Sequence, residues 1–368
     1  MRDTKSRVSV VYPFLPHYRR GIFRELDDSM SFEYEFLSDT VGRAGIVPLD
    51  TSEVKRHKSV QNRWIGRALW QHGLLRIALT SDSPVWIFLG DASYLSTWVA
   101  AALLRLRRKK VLFWTIGWHR PERGIRRLIR MGFYRLANGL LLYGQNAIRI
   151  GEESGYPASR MWVIYNSNPP KYLSEGEGRS APLFRSEIFD SEHPIVGAVI
   201  RLTPTKHLDL LVRAGAYASE LGHPLTIALV GDGPVEHELV ALAKRLSVDL
   251  RIHPAVYEGR DLERVYERLR VTVVPNAVGL TAVQSMYFGT PVISGDDANQ
   301  QMPEWEAIIP GVTGAHFRHG DARSLAEAIL TWTRKDLDVV GRACVTEVST
   351  RWNPVTQREH IEAAVREA

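Results

Sequence analysis

Residues 273–294 read VVPNAVGLTAVQSMYFGTPVIS. An apolar run, Val271–Val274, leads into a turn at Pro275-Asn276, and Gly279 opens a short helix. Gly289-Thr290-Pro291 then returns the chain to a second apolar run, Pro291–Ser294. A helix placed this way aims its first N–H groups at whatever lies above the sheet. Asn276 and Gln284 are polar positions here that carry no charge.

Outward from this stretch the same alternation continues in both directions. Short β-branched runs predict strands at Val8–Tyr12, Phe32–Leu37, Val85–Leu89, Val111–Thr115, Gly139–Tyr143 and Met161–Tyr165. Further strands are predicted at Pro194–Ile200, Leu225–Val230 and Leu250–His253. Helical patterns lie between them, as at Leu208–Leu221 and Val235–Leu246, and Pro354–Glu367 closes the chain as a helix. Apolar runs alternating with amphipathic helices indicate α/β architecture, with parallel sheets covered on both faces. From Asn166 to His193 the pattern breaks into a stretch rich in Pro, Gly, Ser and charge, read as an interdomain linker with local structure around Leu183–Phe189. Two Rossmann-like domains facing each other across a cleft are therefore expected, with ligands beyond the carboxyl ends of the strands.

The 368 residues suffice for two cores, and the composition, 45% hydrophobic and 24% charged, is that of a soluble globular protein. No apolar run approaches the roughly 20 residues of a membrane span, and the apolar stretch near the N-terminus is too short for a signal peptide. One cysteine, Cys344, excludes an intramolecular disulfide and suits the cytosol. Residues 1–185 hold 29 Lys+Arg against 16 Asp+Glu, whereas the remainder holds 18 against 25. A basic half and an acidic half point to different partners.

Several functions are disfavoured by what the chain lacks. The segment after the first strand, YPFLPHYRRG, has one glycine where a dinucleotide enzyme has three, and Gly231-Asp232-Gly233-Pro234 also lacks the third. There is no P-loop and no basic-aromatic nucleic-acid module. His316 and His319 lack a third metal ligand, and Asp336-Leu337-Asp338 falls in a polar helical stretch and reads as surface.

The stretch Ile195–Asp209, IVGAVIRLTPTKHLD, delivers Arg201 from a strand and Lys206 at the start of a helix. Two fixed cations near a helix N-terminus suit a diphosphate; the plainer reading is a pair of solvated charges. Four pieces fall in register: Arg201-Leu202 with Lys206, Val230–Pro234, Gly279-Leu280 with Gly289–Val292, and Glu306 with Gly311–Gly314. Together, across residues 194–335, they resemble the nucleotide-binding half of the retaining, GT-B-fold glycosyltransferases of family four. The first half is matched loosely, by strand-helix order and by Asn166 where that family has a P-N-G loop.

This resemblance implies a nucleotide-sugar donor whose diphosphate sits over Gly279, Leu280 and Thr281, with Arg201 and Lys206 completing the clamp. It implies no metal and no cofactor. It also implies a division into residues 1–185 on the acceptor side (linker included), residues 186–350 on the donor side, and residues 351–368 as a terminal helix packing back toward the first domain. The family's two glutamates, eight positions apart, fall on Asn276 and Gln284 when counted back from Gly289, although the loop from Pro275 to Gln284 is three residues shorter than the family's. In the family the first contacts the donor sugar and the second the ribose. An amide can still hydrogen-bond a hydroxyl but cannot act as a base. Glu306 matches a family glutamate, and Glu304 is additional.

In the first half His119, in WTIGWHRP, matches a strand-end histidine that the family often keeps, expected to contact donor sugar or acceptor; a structural histidine is the alternative. Tyr18, Arg19 and Arg20 are expected acceptor contacts, against a plain helix start with solvated arginines. Within RGIRRLIRMGFYR, residues 123–135, Ile125, Leu128, Ile129 and Phe133 share a helical face, with Arg126, Arg127 and Arg130 elsewhere. With RLRRKK, residues 105–110, this suggests docking on anionic lipid, against an ordinary core helix with a basic outer face.

The expectation is a cytoplasmic enzyme, peripheral on the inner face of the plasma membrane. It would be a hexosyl- or deoxyhexosyltransferase moving a sugar, with retention, from a nucleotide sugar to a carbohydrate or lipid-linked hydroxyl in polysaccharide or glycolipid synthesis. The competing readings are a GT-B nucleotide-sugar epimerase, disfavoured by the two amides, and a non-catalytic partner of an active transferase, disfavoured by the Arg201–Lys206 pair.

Overall fold

The computed structural model describes residues 5–43, 45–167, 186–256 and 259–368. The chain divides into two compact units, residues 1–167 with 354–368, and residues 168–353. Most of the stretch read as a linker, 168–185, lies outside the described residues; Ser186–Phe189 forms one 3-10 turn.

The first unit is built on strands β1 (Ser6–Phe14), β2 (Phe32–Asp39), β3 (His57–Ser59), β4 (Gln61–Ile65), β5 (Ala68–His72), β6 (Val85–Leu89), β7 (Lys110–Thr115), β8 (Gly139–Leu142) and β9 (Met161–Val163). Seven of them make one parallel sheet in the order β3-β2-β1-β6-β7-β8-β9, while β4 and β5 pair as an antiparallel hairpin. Helices α1 (Arg20–Asp27), α2 (Leu74–Thr80), α3 (Leu95–Leu106), α4 (Gly124–Arg135) and α5 (Gln145–Glu153) connect the strands. The central strands are buried on both faces, which is why they read as unbroken apolar runs. Two apolar clusters result. One packs Trp86, Phe88, Phe113 and Phe133 together; the other packs Tyr12, Phe23, Phe36 and Trp114.

The second unit repeats the plan with β10 (Ile195–Val199), β11 (Thr226–Val230), β12 (Asp249–His253), β13 (Val271–Val273), β14 (Val292–Gly295) and β15 (Gly314–Phe317). Its sheet is parallel in the order β12-β11-β10-β13-β14-β15. The helices are α6 (Leu208–Glu220), α7 (Glu236–Leu246), α8 (Gly259–Arg268), α9 (Leu280–Tyr287), α10 (Ala322–Trp332) and α11 (Leu337–Arg351). Asp321 and Asp336 cap α10 and α11 by accepting from backbone N–H groups, so the Asp336-Leu337-Asp338 stretch has a structural use.

The last helix, α12 (Pro354–Glu367), belongs to the first unit. Ile361, Ala364 and Val365 join the cluster around Phe23, and Ser29 donates to Glu362 at 2.6 Å. Gln357 donates to the Tyr165 carbonyl at 2.8 Å.

Helix α4 departs from expectation. Phe133 is buried with Met131 and Tyr134, but Ile125 and Leu128 are 68% and 66% exposed, and Ile129 is also exposed. The core takes only the C-terminal half of α4, so its first turns project all their side chains outward. Arg130 is half-buried in a two-pronged pair with Glu122, at 2.7 Å on each prong, and Arg127 donates to the Ser154 carbonyl.

Candidate functional site

In each sheet one strand marks the point where strand order reverses, and the loops leaving such a point open a crevice for ligands. In the second unit that point lies between β10 and β13. Arg201 and Lys206 sit on the segment after β10, and Asn276 to Gly279 on the segment after β13.

The two segments are tied twice. The Lys206 ammonium donates to the Ala277 carbonyl at 2.5 Å, and Asn276 Nδ2 donates to the Thr205 carbonyl at 3.0 Å. Each segment also holds one non-glycine residue in the left-handed region, His207 at φ 51° and Ala277 at φ 49°. Such conformations cost energy and persist only where surrounding contacts enforce them. From the neighbouring strand, the Gly231-Asp232-Gly233 backbone lies directly against Ile200–Leu202. A Cβ on Gly231 or Gly233 would stand 2.0 Å from the Ile200 or Leu202 carbonyl oxygen, which explains both glycines. Leu202 is buried and Arg201 is exposed, so the guanidinium points away from the core.

The start of α9 is held open by an interlock with residues 300–302. Ala277 N–H donates to the Gln300 carbonyl, Val278 N–H to Gln301 Oε1 at 2.9 Å, and Met302 N–H to the Val278 carbonyl. Gln301 is buried, and its amide also donates to the Gly295 carbonyl. The next three amides, those of Gly279, Leu280 and Thr281, have no acceptor among the described residues, and no side chain caps the helix. These N–H groups and the helix dipole favour an anion.

The charges around this N-terminus are specific. Burial pushes the Lys206 pKa down, and the Glu304 carboxylate partly opposes that shift. Glu304 itself is 4% exposed. Its Oε2 would lie 3.7 Å from a Cβ at Gly279, so the glycine leaves the carboxylate beside the helix start. Glu306, on the same 3-10 turn Pro303–Ala307, is half-buried. Asn276 is 5% exposed, and its Oδ1 meets no donor among the described residues. Gln284 is half-buried on α9 and accepts from the buried Tyr266 hydroxyl at 3.1 Å. Thr281 Oγ1 reaches the Val199 carbonyl at 3.4 Å. The arrangement thus gathers Arg201, Lys206, Asn276, Gly279, Leu280, Thr281, Gln284, Glu304 and Glu306 within one unit.

The two late histidines have other partners. His316 stacks face to face on Trp305, centroids 4.2 Å apart, and His319 meets the His207 ring edge-on.

In the first unit the strand order reverses between β1 and β6. Tyr18 and Arg19 lie on the 3-10 turn His17–Arg19 just beyond β1. Arg19 and Arg20 are both buried, but Arg20 pairs with Glu53 through its Nε and Nη2, at 2.8 and 3.0 Å, whereas Arg19 reaches the Tyr143 hydroxyl. His119 is half-buried after β7, its pKa lowered by burial and by the Arg120 charge. Asn166 is buried and accepts from the Ser167 N–H.

Sequence reasoning missed Gln301, which carries no local signal: a glutamine in a loop becomes a linchpin only once the chain folds around it. It also missed β4–β5 and its Trp64. The exposed-inward alternation of QNRWI and the Gly66 turn were the available hairpin signals.

Two parallel-sheet Rossmann-like units define the GT-B fold, and solved structures agree. HepE of Anabaena in complex with UDP superposes with a TM-score of 0.72 at 16% identity, covering 99% of this chain and 100% of that one. A glycosyltransferase from Rickettsia africae gives 0.72 at 16%, covering 99% of each. The lipopolysaccharide outer core galactosyltransferase WaaB in its apo form gives 0.71 at 13%, covering 98% and 99%. At these identities the likeness establishes the fold. No curated protein sequence matches the chain. Residues 181–339, which fall within the second unit, match the family described as glycosyl transferases group 1.

Proposed function

We propose that the protein is a retaining glycosyltransferase that takes its sugar from a nucleotide diphosphate donor. The observation that carries this reading is the start of α9. Three amides without an acceptor among the described residues, at Gly279, Leu280 and Thr281, lie next to a half-buried ammonium, Lys206, with Arg201 on the adjoining loop. That the similarly folded HepE is solved in complex with UDP supports a nucleotide as the ligand.

On this reading the donor C1–O bond to phosphate breaks while a bond forms from the acceptor oxygen to C1 on the same face. The departing phosphate takes the acceptor's hydroxyl proton. Negative charge grows on that phosphate, and fixed amides and cations aimed there stabilise the transition state more than the ground state. Neither Asn276 nor Gln284 has to act as a base. Glu304, buried beside Gly279, supplies the carboxylate for the donor sugar that Asn276 does not, and Gln284 serves the ribose. His119 meets the donor sugar or the acceptor from the first unit.

The acceptor is a carbohydrate or lipid-linked hydroxyl, and the protein docks peripherally on anionic membrane to reach it, in the synthesis of a polysaccharide or glycolipid. The outward Ile125, Leu128 and Ile129 beside Arg123 and Arg126 support this part, because apolar side chains ringed by cations suit a lipid headgroup layer. No helix among the described residues is long and apolar enough to cross a membrane.

The test is a panel of nucleotide sugars scored by thermal shift, transfer and donor hydrolysis. Stabilisation by a donor together with transfer to a hydroxyl acceptor is expected. Epimerised donor as the product would replace this reading with the epimerase. Donor binding with no turnover toward any acceptor class would make the protein a non-catalytic partner, the reading that the two amides favour.

A further inference from the structure

A pocket of about 280 Å³ opens at the carboxyl ends of β1 and β6, where the first unit's strand order reverses. Its walls include Tyr18, Arg19, Arg43, Trp64 and Tyr94. They come from four separate places: the turn after β1, the β2–β3 connection, the β4–β5 hairpin and the entry to α3. The volume is at the small end of ligand sites, roughly 300–1,000 Å³, and suits one sugar ring better than a chain of them.

Arg19 is the unusual member. Its residue is 9% exposed. One end of the guanidinium donates to the Tyr143 hydroxyl at 2.6 Å, and the group lies over the rings of Tyr143 and Trp114 at 5.1 and 5.5 Å. Its Nη1 is buried and has no acceptor among the described residues. No carboxylate pairs with it among the described residues, and none lines the pocket. A buried cation without a counter-charge is costly unless something compensates it. A purely bracing role between β1 and β8 would be met more cheaply by an apolar side chain. Arg43 adds a second cation at the rim, stacked 3.6 Å above the Trp64 ring and bonded to the Gly66 carbonyl. Trp64 and Tyr94 meet edge to face, 5.9 Å apart, and both line the pocket; with one Trp64 face taken by Arg43, the aromatic surface left to the C–H face of a pyranose is Tyr94 and the rest of Trp64.

We infer that this pocket binds a pyranose bearing an anionic substituent, phosphate or carboxylate, as the receiving end of the acceptor. The ring packs on Trp64 and Tyr94, and the anion is drawn to Arg19 and Arg43. The acceptor role rests on the proposed function; recognition of an anionic sugar rests on this pocket alone.

The experiment measures binding of glucose 1-phosphate, glucuronate and methyl glucoside to the full-length protein by ligand-observed NMR, with UDP binding measured in parallel by calorimetry. At least one anionic sugar is expected to bind about tenfold more tightly than methyl glucoside, and comparison of the two anions distinguishes phosphate from carboxylate. Arg19→Gln should abolish the preference while UDP affinity stays unchanged. Should that variant fail to fold, Arg43→Gln at the exposed rim should weaken the preference and Trp64→Ala should weaken all three sugars. No binding of either anionic sugar, no preference over the neutral one, or a preference that survives Arg19→Gln and Arg43→Gln would overturn the inference. Anionic sugar binding without UDP binding would instead remove the donor site and leave the pocket standing.

Discussion

Asn276 reaches 71 positions along the chain to donate its side-chain amide to the backbone carbonyl of Thr205, at 3.0 Å. A carboxylate in its place could only accept, and would face another acceptor. The absence of charge at this position is therefore a requirement of how the loops after β10 and β13 are joined.

Asn276→Asp tests that statement. The variant is expected to lose about 1–3 kcal/mol, the cost of an unmade buried hydrogen bond. A neutral carboxyl could still donate, so folding raises this group's pKa above its unfolded value of about 3.9. The penalty is then absent below that value and grows as pH rises toward the folded pKa. Melting temperatures of variant and wild type should converge at acid pH; a constant gap at every pH would contradict the geometry.

Lys206→Ala should lower turnover by about two orders of magnitude, on the scale of roughly 3 kcal/mol for a lost transition-state donor, with the far-UV spectrum unchanged. Burial holds the free Lys206 pKa below that of an ordinary lysine, and a bound diphosphate favours the charged form. Donor affinity should be full at lower pH and decline as pH rises through the free-state pKa, below the ordinary lysine range. Lys206→Arg should bind UDP without that decline; parallel pH profiles for the two proteins would remove Lys206 from the site.

Gln284→Ala strands the buried Tyr266 hydroxyl, which has Gln284 Oε1 as its acceptor. A loss of about 1–3 kcal/mol is expected, relieved in the Gln284→Ala/Tyr266→Phe pair because both partners are then gone. Gln284→Glu keeps the acceptor and should melt like wild type, while changing which nucleotide sugars are turned over. An unaltered donor preference in both Gln284 variants would separate this residue from the donor.

The vesicle experiment follows from α4. Because Arg130 is held by Glu122 and Arg127 by the Ser154 carbonyl, the residues to change are Arg123 and Arg126 to Gln, and Ile125 and Leu128 to Ser. Each pair should reduce co-sedimentation with anionic vesicles by about tenfold or more, at roughly 1 kcal/mol per cation. Only the arginine pair should also reduce the salt sensitivity of binding. Wild-type protein that stays in the supernatant at low salt would end the docking proposal.

The sequence by itself determined the two parallel sheets, because strands covered on both faces must be apolar throughout and their helices amphipathic. Arg201, Lys206, Gly231, Gly233 and the start of α9 were also legible, since each lies on the segment that leaves a strand and its place is local. Short polar strands escaped: β3 reads HKS and lies at the sheet edge, and β15 holds four residues with a histidine among them. Only the tertiary structure decided which arginine is buried over Tyr143 and which pairs with Glu53, though Arg19 and Arg20 are neighbours. It also decided that Ile125 and Leu128 face outward while Phe133 goes inward, and that Glu304 is more deeply buried than Glu306. Each of these depends on a partner 30 or more positions away or on where a helix meets the core. Periodicity reports which residues share a face, and packing alone settles what covers that face.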